Sequence, residues 1–117
     1  MGADVKVEKA EKLALNIIQC YKYLSTNKSE FIMSKQLLRC GTSIGANIAE
    51  AVYAESHVDY IHKLSISQKE ASETLYWLKL LYKSSYLPED YYNELKNRCE
   101  EILYILIAII NALKAKK

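Results

Sequence analysis

Apolar residues recur every three or four positions through most of the chain, and this spacing is typical of amphipathic α-helices. Short polar segments interrupt the pattern, and the strict alternation of a half-buried β-strand does not occur. The spacing predicts a single domain over residues 1–117, with helices at about 5–25, 28–54, 57–84 and 88–115. Because short connections make consecutive helices antiparallel, we expect an all-α, up-down four-helix bundle.

Residues with helix-starting properties mark the predicted boundaries. Asn27 and Glu30 have the spacing of an N-cap residue and its N3 partner, so the second helix is expected to start there. Ser56 followed by Asp59 is a weaker signal of the same kind for the third helix. Pro88 suits the first position of the fourth helix. The connections are therefore expected to be only a few residues long.

The second helix carries a row of minimal side chains, Gly41, Gly45 and Ala49, spaced four residues apart. A glycine in a helix interior costs about 1 kcal/mol relative to alanine, so we expect the row to have a packing role that offsets this cost. Small side chains allow another helix to approach closely, and we expect such a contact here. That helix belongs either to the same bundle or to a second subunit.

The fourth helix is apolar on nearly every side in its last turns. Leu103, Ile107 and Ile110 are predicted to lie outside its core-facing line, which runs through Ile102, Leu106, Ile109 and Leu113. An apolar face that remains after the core has closed usually marks a protein interface. Self-association is the simplest way to cover it, so we expect a homo-oligomer.

Two polar residues, Asn47 and Glu50, are predicted to lie beside the apolar line of the second helix. Polar groups that are partly buried there would need hydrogen-bond partners. We interpret them as members of a structural network that fixes the helix register together with Lys69, Glu70 or Glu73 of the third helix. A polar functional site is the alternative interpretation.

Charge changes this picture only slightly. The formal net charge of +2 does not by itself indicate a nucleic-acid-binding protein, although a small net charge can hide a basic face. Lys35 and Arg39 lie four residues apart on the second helix, and Lys79 and Lys83 do so on the third. Each pair therefore shares a helix face and could contact phosphates, the alternative being an ordinary solvated surface.

The residue patterns of enzyme active sites are missing from the sequence. Neither His57 nor His62 follows a glutamate by three residues, as the ligands of bundle metal centres do. The cysteines, Cys20, Cys40 and Cys99, are far apart in sequence and form no Cys-x-x-Cys pair. We therefore expect no catalytic residues, no cofactor and no metal, and interpret the cysteines as buried residues in a reducing compartment.

The hydropathy of the chain predicts a protein without a membrane partner. Its most apolar segment, residues 102–113, falls short of the ~18 residues that a membrane span requires. The N-terminal segment mixes charges of both signs, unlike a secretory signal. We therefore expect a cytoplasmic protein.

Two long segments resemble a known family. QLLRCGTSIGANIAEA, Gln36–Ala51, and DYIHKLSISQKEASETLYWLKLL, Asp59–Leu81, resemble the bacterial four-helix-bundle family of 23S rRNA-intervening-sequence proteins. Relatives of this family include the accessory variability determinant of diversity-generating retroelements, which forms a pentameric ring and binds nucleic acid through a basic surface. The resemblance implies a cytoplasmic, ring-like homopentamer, and Arg39 matches a basic position of the family motif.

The leading hypothesis is a non-enzymatic, self-assembling bundle that presents a basic surface to structured RNA, to DNA or to a nucleoprotein. Its phosphate contacts would be Lys35, Arg39, Lys63 and Lys69. The alternative is a protein–protein interaction scaffold that binds no nucleic acid. The alternative stays open because the chain is nearly neutral, unlike the nucleic-acid-binding relatives, and its fourth helix carries a set of acidic residues: Glu89, Asp90, Glu94, Glu100 and Glu101.

Overall fold

Helices make up most of the protein, which we describe from a computed structural model covering residues 4–116. They are α1 (Val5–Asn27), α2 (Met33–Ala51), α3 (His57–Lys83) and α4 (Glu89–Ala115). Residues 4–116 contain no β-strand, which confirms the predicted all-α class. The second helix is shorter than predicted at both ends, and the other three agree with prediction to within about one turn.

Contacts between neighbouring helices establish that they run antiparallel. Arg39 of α2 pairs with Glu70 of α3, whereas Glu50, further along α2, pairs with Lys63, earlier in α3. Residue numbers rise on one helix as they fall on the other. The same reversal occurs between α1 and α2 and between α3 and α4, and α4 returns to pack on α1. The chain is therefore the expected up-down bundle.

One stripe of each helix supplies the core. The stripes follow the three- and four-residue spacing that brings side chains onto one helical face, and burial of each large aliphatic side chain contributes about 1.5–3 kcal/mol. The fully buried large side chains are Leu13, Ile17, Leu24, Leu37, Ile44, Ile48, Leu64, Leu78, Leu81, Leu95, Ile102 and Leu106.

The last turns of α4 face the core along a different line from the predicted one. Ile110, which was expected to lie outside this line, is only 4% exposed and continues the stripe of Ile102 and Leu106. Ile109 and Leu113, which were expected on the line, are only partly buried. The sequence has isoleucine at both 109 and 110, so the apolar pattern did not distinguish them and packing against the other helices did.

The start of α2 also differs from prediction. Asn27, the predicted N-cap residue, is the last residue of α1. The buried carboxylate of Glu30 instead accepts hydrogen bonds from the backbone N–H groups of Ile32, Met33 and Ser34 at 2.7–3.2 Å. These donors have no partner within the helix, so Glu30 stabilises the helix start.

The start of α3 agrees with the predicted capping signal. The Ser56 hydroxyl accepts a hydrogen bond from the backbone N–H of Asp59 at 3.0 Å. The Asp59 carboxylate in turn accepts one from the backbone N–H of Glu55 at 3.1 Å. The two hydrogen bonds end the α2–α3 connection and begin the helix.

Small polar side chains bring α2 and α3 close together. Ser67 is buried and its hydroxyl donates to the backbone carbonyl of Ile44 at 2.8 Å. Thr74, also buried, lies with its hydroxyl 3.3 Å from the sulfur of Cys40. This close packing brings the charged side chains of the two helices side by side. We call the surface that they form the α2–α3 face; it consists of Lys35, Arg39 and Glu50 of α2 and Lys63, Lys69, Glu70 and Glu73 of α3.

Candidate nucleic-acid interface

The α2–α3 face holds the basic residues that were predicted to contact phosphates, but it also holds their counter-charges. The guanidinium of Arg39 reaches Glu70, with 3.4 Å between Nη1 and Oε1, and its other terminal nitrogen donates to Glu73. About half of the Arg39 side chain remains exposed (49%). Arg39 is therefore a surface cation whose charge is already paired with two carboxylates.

Lys63 has a carboxylate partner as well. Its ammonium lies 3.1 Å from Oε1 of Glu50, and this hydrogen bond raises the pKa of Lys63 above its ordinary value. Lys35 and Lys69 are exposed and form no ion pair within residues 4–116. Of the predicted contacts, these two are available to a phosphate without breaking a salt bridge.

The polar residues that were predicted to form one network belong to separate interactions. Asn47 donates its side-chain N–H to the Ser43 carbonyl of its own helix at 2.9 Å. Glu73 accepts the indole N–H of Trp77 at 3.0 Å in addition to its contact with Arg39. Together with the Glu50–Lys63 pair, these contacts tie α2 to α3 at two places, and Asn47 takes no part in either.

The glycine row of α2 lies against α1 within the same bundle. A Cβ atom built on Gly41 would lie 2.9 Å from both Cγ atoms of Ile17, and one on Gly45 would lie 3.5 Å from Cβ of Ala10. Close approach of α1 therefore accounts for Gly41. Ala49, the last member of the row, is exposed at the edge of the shallow α1–α2 groove.

Of the α4 residues that were predicted to cover an interface, only two retain exposed surface. Leu103 is partly buried and packs on the core, and Ile107 is partly exposed. Ile110 belongs to the core itself. Ile109 and Leu113, which were predicted to face the core, are partly exposed instead, so the leftover apolar face of α4 is displaced from its predicted position.

A second apolar surface, which the sequence analysis did not single out, lies where α2 connects to α3. Val52 is 66% exposed, Tyr53 85% and Val58 75%. We call these three residues the α2–α3 turn patch. Their apolar character is visible in the sequence, but the second helix was predicted to continue to residue 54, which would have made Val52 and Tyr53 helical residues rather than part of a turn.

The cysteines are free and buried, as expected of core residues. Burial raises the pKa of Cys20 and of Cys99 to about 12 and that of Cys40 to about 11. A thiol reacts as its thiolate, so these thiols are poor nucleophiles near neutral pH. Residues 4–116 bring together no group of three or more His, Cys, Asp or Glu side chains that could hold a metal ion.

Within the part of the chain that the structure describes, no helix combines the length and apolarity needed to cross a membrane. The fold and the candidate surface thus define a class of protein, an up-down four-helix bundle with charged helix faces and exposed apolar side chains at inter-helix turns.

The family follows from comparison with known proteins. The family model described as "23S rRNA-intervening sequence protein" matches residues 5–108, and the chain belongs to this family. A crystal structure at 1.70 Å resolution is similar over most of its length. It is that of a protein with unknown function from the S23 ribosomal protein family of Bacteroides thetaiotaomicron VPI-5482. The two are 48% identical with a TM-score of 0.89, over 90% of this chain and 97% of the other. No curated protein matches the chain.

Proposed function

We propose that the protein is a non-enzymatic, self-assembling helical bundle. Its exposed lysines bind the phosphates of structured RNA, of DNA or of a nucleoprotein. The observation that carries this proposal is that Lys35 and Lys69 on the α2–α3 face are exposed and unpaired within residues 4–116. An unpaired cation can replace the counterions of a phosphate backbone without first losing a carboxylate partner.

Arg39 has a smaller part in this proposal than its match to the family motif implied. Two carboxylates, those of Glu70 and Glu73, already occupy its guanidinium. A phosphate would have to compete with both of them. We therefore assign the larger share of phosphate binding to the unpaired lysines.

The α2–α3 turn patch supports the self-assembly part of the proposal. Val52, Tyr53 and Val58 present apolar surface that a second copy of the chain would remove from water. The pentamer, the ring shape and the cytoplasmic location are expectations from the family resemblance and form part of the same proposal.

A protein–protein interaction scaffold without nucleic-acid binding is the second candidate. The ion pairs of Arg39 and Lys63 favour it, because they leave the α2–α3 face close to neutral. The start of α4 is acidic, with Glu89 and Asp90 in its first turn, and would repel phosphates.

Fluorescence anisotropy of labelled structured RNA and single-stranded DNA across a salt series tests the proposal. Each phosphate contact lowers log affinity by about 0.9 per unit of log salt for duplex DNA and about 0.7 for single strands. The double variant Lys35→Gln/Lys69→Gln should therefore flatten the slope by about 1.4–1.8. Lys12→Gln/Lys22→Gln, which removes the same charge from exposed positions of α1, should leave the slope unchanged.

The outcomes separate the two candidates. No binding to either nucleic acid at low salt rejects nucleic-acid binding and favours the scaffold. Light scattering after size exclusion tests self-assembly independently: we expect an oligomer that Val58→Lys shifts towards the monomer. A wild-type protein of monomer mass at micromolar concentration would rule out self-assembly.

A further inference from the structure

A groove between α3 and α4 carries a combination of side chains that the α2–α3 face lacks. It has a volume of about 430 Å³ and opens to solvent. Tyr76 and Lys79 line it from α3, and Tyr92, Lys96 and Glu100 line it from α4. Aromatic rings and ammonium groups therefore share one concave surface.

The ammonium groups in and beside this groove are unpaired. Lys79 and Lys96 line the groove, and Lys83 lies one helical turn beyond Lys79 on α3. None of the three forms an ion pair with a carboxylate of residues 4–116. Lys79 and Lys83 are four residues apart on α3, so they extend along the same helix face. This contrasts with Arg39 and Lys63, whose charges are already matched.

The two lining tyrosines have different environments. Tyr92 stacks on Tyr82, with 4.5 Å between ring centroids and 4° between ring planes, and the Lys96 ammonium lies 5.9 Å from the Tyr92 centroid. The Tyr92 ring is thus packed on Tyr82, and the Lys96 ammonium lies within cation–π distance of it. Tyr76 meets Trp77 at 70° and remains 52% exposed, so part of its ring is free to meet another planar group.

We infer that the α3–α4 groove binds a single-stranded segment of nucleic acid, in which an unpaired base stacks on Tyr76 and the flanking phosphates meet Lys79, Lys83 and Lys96. Stacking on an aromatic side chain beside a cationic track is how many proteins bind single strands without reading sequence. The inference rests on the proposed nucleic-acid binding and adds to the α2–α3 face a second contact surface, one that takes single strands.

Glu100 provides a test in which binding should improve. Its carboxylate lines the groove and opposes the approach of phosphate. The neighbouring Glu101 lies on another side of α4, where it pairs with Lys9 of α1 at 2.8 Å. Glu100→Gln and Glu101→Gln change the net charge equally, so any difference between them reports where the strand lies.

The experiment measures anisotropy of a labelled fifteen-nucleotide oligo(dT) with the full-length chain. Glu100→Gln should tighten binding about threefold, because it removes one short-range repulsion, whereas Glu101→Gln should leave it unchanged. Tyr76→Leu should weaken binding about tenfold and leave binding to a blunt fifteen-base-pair duplex unchanged, since stacking needs an unpaired base. Lys79→Gln should flatten the salt slope by about 0.7, and the α1 control Lys22→Gln should not.

The results distinguish failure of this inference from failure of the proposed function. If the wild-type chain binds neither oligo(dT) nor structured RNA, both are wrong. If it binds but Glu100→Gln behaves like Glu101→Gln and Lys79→Gln like Lys22→Gln, nucleic-acid binding stands and the groove does not. An oligoglutamate peptide that binds as tightly as oligo(dT) would also overturn the inference, because the groove would then be selecting charge alone. Far-ultraviolet circular dichroism of each variant verifies that it is folded.

Discussion

Replacing Gly41 by alanine tests how closely α1 and α2 are packed. Gly41 is buried in α2, and a Cβ atom at this position would lie 2.9 Å from Cγ1 and Cγ2 of Ile17 and 3.3 Å from its Cβ. Ile17 is fully buried and branched at Cβ, so it has few other rotamers to adopt. The added methyl group must therefore displace either the side chain or the helix.

The expected magnitude is the difference of two opposing effects. Alanine is favoured over glycine in a helix interior by about 1 kcal/mol. Overpacking of a well-filled core costs about 1–3 kcal/mol. We expect Gly41→Ala to lower the free energy of unfolding by about 1 kcal/mol. Gly45→Ala should raise it by about 0.5–1 kcal/mol, because its Cβ would meet Ala10 at 3.5 Å, an ordinary contact.

Urea unfolding followed by circular dichroism at 222 nm measures both variants by linear extrapolation. The protein concentration is held constant because self-association would contribute to the apparent stability. A Gly41→Ala protein that is as stable as Gly45→Ala would refute the reasoning. A double-mutant cycle with Ile17→Ala locates the effect: the added methyl should be better tolerated once both Cγ atoms of Ile17 are gone.

Two further predictions concern the helix start and the buried thiols. Glu30→Ala should reduce the free energy of unfolding by about 1–2 kcal/mol, because three backbone N–H groups lose their acceptor. Glu30→Gln should recover part of this loss. Equal urea midpoints for wild type and Glu30→Ala would contradict the prediction. The cysteines, with an ordinary pKa of 9.0 that burial raises to about 12 for Cys20 and Cys99 and to about 11 for Cys40, ionise more readily in the unfolded chain. Their contribution to stability is therefore complete below about pH 9 and declines as the pH rises towards 12. Melting temperatures between pH 7 and 10.5 should fall less steeply for Cys99→Ala than for wild type. In a separate test, Ellman's reagent at pH 8 should label all three thiols only after urea is added. Rapid labelling of the native protein would contradict their burial.

The sequence by itself determined the helices and their assembly into a bundle, because these depend on local spacing. Apolar residues three and four apart can share one face only in a helix, and short connections leave consecutive helices antiparallel. The capping role of Ser56 and the burial of the cysteines were also predictable, since each depends on residue type and immediate neighbours.

The tertiary structure decided which residues face one another, and this information is not local. Isoleucines at 109 and 110 are equivalent in the apolar pattern, and only packing selected Ile110 for the core. Likewise, no sequence spacing revealed that Glu70 and Glu73 would meet Arg39, because residues 31 and 34 positions apart are brought together by the fold. Whether a lysine or arginine is free to meet a phosphate depends on such distant carboxylates, so the candidate interface could be assigned only after the helices were packed.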